Sequence, residues 1–292
     1  MATPTTGDFL ASVFERLGIP RSWLSHLREL RARLLRILFT VAFFYGLFFL
    51  FEFKQVATLG GVPIIAPVFS PFHPFAAQML SKMLGDLIPR DVQVIQVSPT
   101  EIVVLYMEIA LVFAIACAMP MALYQFGRFV MPALYAHERR ELMRLITPGV
   151  MLFAVGCAFA YRIVVPPIIN FLFEYSRELS AQAPGLILVS VSVGQALEFA
   201  MMLILAFGFV FEMPLVMSAL TRIGIVQART WRRYARHAAD GFLIVGGIIT
   251  PDTSGVTQVL VALPMMGLYF GGCLLAVYGE RRAAARPATA AS

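Results

Sequence analysis

The sequence predicts an all-α integral membrane protein with six transmembrane helices and both chain ends in the cytoplasm. Composition, apolar runs and the placement of arginine carry this expectation. Of 292 residues, 59% are hydrophobic and 14% charged, against about 45–50% and about 25% in soluble domains. The mean hydropathy is +0.79. A chain this apolar has too little polar surface to cover a water-facing exterior. Six apolar runs follow one another. When they alternate across a bilayer, 23 Lys and Arg residues divide unevenly: only Lys54, Lys82, Arg90, Arg162 and Arg177 fall on one side. The arginine-rich side is cytoplasmic by the positive-inside rule, and both ends fall there.

Residues 1–33 form a cytoplasmic segment. Pro20 suits a first helical turn, which needs no N–H partner. Beyond it Leu24, Leu27, Leu30 and Leu34 recur at helical spacing, with His26, Glu29 and Arg33 on another stripe. The pattern predicts an amphipathic helix at the interface that runs into the first span. No apolar core of about 7–15 residues precedes Arg36, so no cleavable signal sequence is expected.

The spans are expected at Leu34–Phe53, Ile102–Tyr124, Leu145–Phe171, Val193–Leu220, His237–Thr250 and Val259–Tyr278. A crossing takes about 20 residues. The fifth segment, between Arg236 and Pro251, offers roughly 14, or about 21 Å of helix. It is read as a short span, paired with the sixth in a tight hairpin where the bilayer thins; a re-entrant segment is the alternative. The connection 54–101 holds several prolines, and Phe75, Met79, Met83 and Leu87 repeat every fourth residue, as in an amphipathic helix at the membrane surface. Residues 172–192 are expected to form a smaller cap, and 281–292 a cytoplasmic tail.

Two carboxylates stand among the cytoplasmic arginines: Glu29, and Glu138 in His137-Glu138-Arg139-Arg140. They pair locally, Glu29 with Arg33 and Glu138 with Arg139, or they receive cationic groups from a partner through bidentate Arg–carboxylate contacts. Glu212 lies deep in an apolar run just before Met213-Pro214. An ionised carboxylate there costs several kcal/mol unless paired or wetted, and Pro214 frees a carbonyl one turn back. It is either glue between helices or a docking or conduction group. Glu108 lies inside the second span; Gln195 and Glu198 are one turn apart and share a face; Asp240 is expected to pair with Arg236. Gly267 and Gly271 form a GxxxG that permits close helix packing.

Enzymatic and metal readings find little support in the pattern. The histidines His26, His73, His137 and His237 have no spacing partners, and HExxH, GxSxG and Walker-type loops are absent. Cys117, Cys157 and Cys273 sit in apolar runs as small hydrophobes, with no CxxC. No cofactor or metal is expected. A proton-linked solute transporter using Glu212 and a structural scaffold are the competing readings.

Several motifs resemble those of the TatC family, the multispanning subunit of the Sec-independent twin-arginine protein translocase. They are His26-Leu27-Arg28-Glu29-Leu30-Arg31-Ala32-Arg33; Pro120, Tyr124-Gln125, Phe129 and Pro132-Ala133-Leu134-Tyr135 leading to His137-Glu138-Arg139-Arg140; Phe159-Ala160-Tyr161 and Pro166; Phe207-Gly208 and Phe211-Glu212-Met213-Pro214; and Thr250-Pro251-Asp252, Gln258 and Ala262-Leu263-Pro264. The resemblance implies a cupped six-span bundle over 34–280, with short fifth and sixth spans, in a bacterial inner membrane. It implies that Glu29 and Glu138, with Arg31, Phe129 and Arg139 beside them, bind Arg-Arg signal peptides of folded cargo. It further implies that Glu212 and Pro214 dock small single-span partners of the TatA/TatB type. Asp252 and Gln258 belong to the last external turn, and transport runs on the proton gradient. The turn departs from the family pattern in having one proline, Pro251, before the aspartate.

Overall fold

The computed structural model describes residues 21–59, 62–89, 93–95, 98–133, 136–182, 190–250 and 255–284. Helix α1 (Arg21–Leu50) is continuous, so the amphipathic segment and first span are one rod. The chain then extends as β1 (Phe51–Leu59) and β2 (Val62–Phe69), an antiparallel hairpin pairing Phe51 with Phe69 and Lys54 with Ala66. The first span therefore ends at Leu50 rather than Phe53, and the hairpin was not expected. Pro63 and Pro67 each remove a donor from β2, which a two-stranded ribbon tolerates on its free edge. The amphipathic helix follows as α2 (Phe75–Leu87), burying Ala76, Leu80, Met83 and Leu87.

Helix α3 (Glu101–Val130) forms the second long rod. A 3₁₀ turn (Met131–Ala133) and helix α4 (Ala136–Arg144) lead to α5 (Ile146–Phe159). A π turn (Ala160–Val164) joins α5 to α6 (Val165–Gln182). Pro166 and Pro167 cannot donate to the turn before them, and a π turn absorbs that loss without breaking the rod. The helix thus runs through 171 into the expected cap. Helices α7 (Val193–Arg222), α8 (Ala228–Arg233), α9 (Ala235–Ile249) and α10 (Val256–Ala284) complete the chain. Gly224, with φ +80°, ends α7: Ile225 N–H bonds Leu220 O at 3.0 Å and Gly224 N–H bonds Thr221 O at 3.1 Å, a Schellman closure. A short parallel pairing joins β3 (Gln93–Ile95) to β4 (Ser190–Ser192).

Among the described residues, five helical stretches are long and apolar enough to cross a membrane: His26–Leu50, Glu101–Val130, Leu142–Glu178, Gly194–Arg222 and Val256–Arg281. The chain is therefore a multispanning helical membrane protein. Helix α9, at 15 residues, is the short segment that Arg236 and Pro251 delimit in the sequence.

Helix α7 is the hub, packing on α5 and α10, while α1 leans on α3. Leu34, Leu38, Phe39 and Phe43 of α1 face outward, as a lipid-facing rod requires. The backbones of α5 and α7 meet at Gly156, where a Cβ would lie 2.8 Å from Phe207 O. Phe153 and Phe207 are fully enclosed beside that crossing. The GxxxG pair makes no such approach, since a Cβ at Gly267 or Gly271 would meet nothing within 4 Å. The close contact on α10 is one residue later, at Gly272, where a Cβ would lie 3.1 Å from Pro214 Cα.

Candidate functional site

At one end of the bundle α1 and α3 are locked by a polar bridge. Glu29 and Arg33 lie one turn apart on α1. Arg33 Nε donates to Glu29 Oε1 at 3.1 Å and its Nη2 closes on the same oxygen. Arg33 Nη1 reaches across to Gln125 Oε1 on α3 at 3.3 Å. Gln125 is buried, its amide nitrogen 3.7 Å from Met121 Sδ. The guanidinium is thus held at both ends, with its side chain 14% exposed. Among the described residues, Glu29 Oε2 accepts no hydrogen bond, and the Glu29 side chain remains 34% exposed. The local pair read from the spacing exists, and it occupies one oxygen of two.

One turn beyond Gln125, Arg128 stacks over Tyr124, 6.0 Å from the ring centroid. Phe129 is half-buried at the end of α3, Arg31 is exposed on α1, and Arg139 is exposed on α4. The Glu138 side chain lies outside the described residues, although its backbone continues α4. Asp240, expected to pair with Arg236, forms no ion pair among the described residues and stands exposed on α9.

Glu212 is the second site. It is 6% exposed on α7, and neither carboxyl oxygen has a hydrogen-bond partner among the described residues. Small size opposite makes the room: a Cβ on Gly149 of α5 would lie 3.2 Å from Glu212 Oε2 and 2.8 Å from Leu123 Cδ1. Pro214 follows, buried against Gly272 of α10. The carboxyl therefore sits where α3, α5 and α7 converge, with its hydrogen-bonding capacity unspent. A buried polar group in that condition is a standing cost that a partner donor or acceptor relieves.

The opposite end of the bundle carries other polar features. Asp252 lies outside the described residues. Gln258 donates its amide to Leu243 O at 2.7 Å, tying α10 back onto α9. Gln195 and Glu198 line one recess with Ser176 and Thr250, of about 580 Å³. Two links there had no sequence signal beyond ordinary polar residues. Glu101 Oε1 accepts from Gly194 N–H at 2.7 Å and from the Ser192 hydroxyl, clasping the starts of α3 and α7. Tyr161 of the π turn donates to Asp86 Oδ2 of α2 at 2.6 Å. Among the described residues, no group of three potential ligands is placed to hold a metal ion.

Comparison with known proteins points in one direction. The family model described as Sec-independent protein translocase protein (TatC) matches residues 25–264. The chain is 37% identical over 257 residues to the Sec-independent protein translocase protein TatC of Cenarchaeum symbiosum, covering 88% of this chain and 95% of that one. It is 33% identical to the protein of the same name from Aquifex aeolicus, with 84% and 90% covered. A crystal structure of a twin arginine translocase receptor, TatC, superposes with a TM-score of 0.69 at 30% identity, covering 87% of this chain and 99% of the other.

Proposed function

The chain belongs to the TatC family of Sec-independent protein translocase proteins, and on that premise we propose that it is the receptor and core subunit of a twin-arginine translocase. It binds Arg-Arg signal peptides of folded proteins at Glu29 and Glu138 and exports the cargo with small single-span partners of the TatA/TatB type. The proton gradient drives the process, and the chain itself catalyses no reaction and needs no cofactor. Residues 34–280 form a six-span domain in the bacterial inner membrane, between cytoplasmic segments 1–33 and 281–292.

The observation that carries this reading is the half-used carboxylate of Glu29. Arg33 is anchored to Gln125, so it holds Oε1 and orients the group, while Oε2 keeps an open lone-pair side. An incoming guanidinium finds a carboxylate already fixed, which saves the ordering cost of a free side chain. Charge-assisted contacts of this kind are shorter and stronger than neutral ones, and a bidentate pair adds direction. In this reading Arg31, Phe129 and Arg139 belong to the same receptor surface, and the arginines of that face keep it from collecting cations indiscriminately.

Glu212 and Pro214 form the partner-docking site in this scheme. An unspent carboxyl two residues before a proline inside the helix offers a polar group of a single-span helix the contact that the chain itself does not supply. Asp252 and Gln258 shape the last external turn.

The test is crosslinking from positions beside Glu29 and Glu138 to an Arg-Arg signal peptide, paired with binding to Glu29→Ala and Glu138→Ala. The expected result is crosslinks from both positions and a drop in affinity of about tenfold or more per variant, with the bundle still folded. Unchanged affinity in both variants would remove the receptor assignment.

A further inference from the structure

At the end of the bundle away from Glu29, a crevice of about 350 Å³ opens between α2, α3, α5 and α7. Its walls are apolar: Met79 and Met83 of α2, Phe113 and Ala116 of α3, and Met201 and Ile204 of α7. Lys82 is the one charged residue among the described residues that line it. Lys82 is exposed and, among the described residues, has no ion pair or hydrogen bond. Tyr161 also lines the crevice, but its hydroxyl is spent on Asp86.

The α3 wall of the crevice runs from Ile109 to Ala116, two turns or roughly 10 Å of helix. Phe75 at the start of α2 packs on Phe113 of that wall, with ring centroids 5.1 Å apart, so α2 closes one side of it. A cation at the edge of an apolar crevice matches the chemistry of a lipid, a phosphate followed by an acyl chain.

We propose that this crevice holds one acyl chain of a phospholipid whose phosphate meets Lys82. Asp86 lies one turn further along α2, so the mouth carries a cation and a carboxylate together. A zwitterionic ethanolamine headgroup satisfies both, phosphate toward Lys82 and ammonium toward Asp86. The lipid would fill the gap between the surface helix and the three spans. It would act as a wedge that sets how closely α2 lies on the bundle. This assignment is independent of the receptor reading, since a chain that bound no signal peptide would still retain the lipid.

The experiment is native mass spectrometry of the full chain released from vesicles of phosphatidylethanolamine, phosphatidylglycerol or neutral diacylglycerol. One ethanolamine phospholipid per chain is expected to survive release. Lys82→Glu, an exposed change that leaves the thermal midpoint in place, is expected to cut retention by about fivefold or more. Ala116→Phe, which fills the channel, is expected to abolish retention, and Asp86→Asn to remove the preference over phosphatidylglycerol. If Ala116→Phe does not fold, Lys82→Glu decides alone. Equal retention by the wild type and Lys82→Glu would overturn the proposal, as would equal retention of diacylglycerol. Displacement of the lipid by an apolar helical peptide at equimolar ratio would assign the crevice to a polypeptide and overturn it too.

Discussion

The i, i+4 spacing of Glu29 and Arg33 announces an ion pair, which on an exposed helix contributes little to stability. Its meaning changes once Gln125 is included, because that contact crosses from α1 to α3. An arginine held by two acceptors is a positioning group, not a rival for the peptide. Arg33→Gln is therefore expected to weaken binding of an Arg-Arg peptide by about fivefold, and Gln125→Leu to weaken it in the same direction. Titration of a labelled peptide decides this, and tighter binding to Arg33→Gln would recast Arg33 as a competitor. The pair was legible in the sequence because helical spacing is local. The part played by Gln125 was not, because it depends on the angle and register at which two helices meet. Glu212 was legible as an anomaly, a carboxyl in an apolar run. Its enclosure by Gly149 was not, since nothing local singles out that glycine. Gly149→Ala places a Cβ 3.2 Å from Glu212 Oε2 and is expected to destabilise the bundle by about 1–3 kcal/mol, read as a lower melting temperature in detergent. Glu212→Gln is expected to stay folded, because the amide can still hydrogen-bond, and to impair export. Full export by that variant would reduce Glu212 to helix glue.

Among the elements, the long helices and α2 follow from periodicity. The hairpin does not, because short apolar runs broken by proline read equally as loop. Its base is held electrostatically. Glu52 is 2.7 Å from Lys54 Nζ and accepts from Gln78 of α2 at 3.3 Å. The Lys54 ammonium beside it holds the Glu52 carboxyl below the ordinary glutamate range. A lowered folded-state value means that the contribution is complete above the ordinary glutamate pKa, about 4.3, and is lost as pH falls through the lowered value. Exchange protection of the hairpin, taken relative to the intrinsic amide rate at each pH, is expected to fall on acidification in the wild type and to change less in Glu52→Gln. The Glu101 clasp makes a sharper case. A Cβ on Gly194 would lie 2.7 Å from Glu101 Oε1, the atom that accepts Gly194 N–H. Gly194→Ala is expected to open the clasp and cost about 1.5–3 kcal/mol, with lost exchange protection confined to the starts of α3 and α7. Loss spread evenly over the molecule would contradict a local clasp.

At the scale of the whole molecule, the short α9 decides the topology. It follows α7 from the end of the bundle where Arg222 lies. Its last residues, Ile248 and Ile249, and Thr250 just after them share a recess with Gln195 and Glu198 near the start of α7. Gln258 then bonds Leu243 O, and Tyr269 returns a hydrogen bond to Trp231 O at 2.8 Å, so α10 runs back antiparallel. Near its end, a Cβ on Gly279 would lie 3.4 Å from Arg222 Cγ. Fifteen residues span about 22 Å, short of a hydrocarbon core of about 30 Å. A crossing therefore requires local thinning, at a fraction of a kcal/mol per Å. The two possible paths predict opposite labels. With six crossings, a cysteine at Ser254 faces the exterior and one at Ala290 faces the cytoplasm. With a re-entrant α9, both assignments reverse and the terminal arginines lie outside. In a background lacking Cys117, Cys157 and Cys273, an impermeant maleimide applied to intact cells is expected to modify Ser254→Cys and spare Ala290→Cys. Raising the acyl length of reconstituted vesicles is expected to slow labelling at Ser254, because a thicker leaflet covers the end of a helix too short to reach its surface. A rate that ignored bilayer thickness would mean that the hairpin end stands clear of the lipid, and thinning would not be needed to explain how so short a helix crosses.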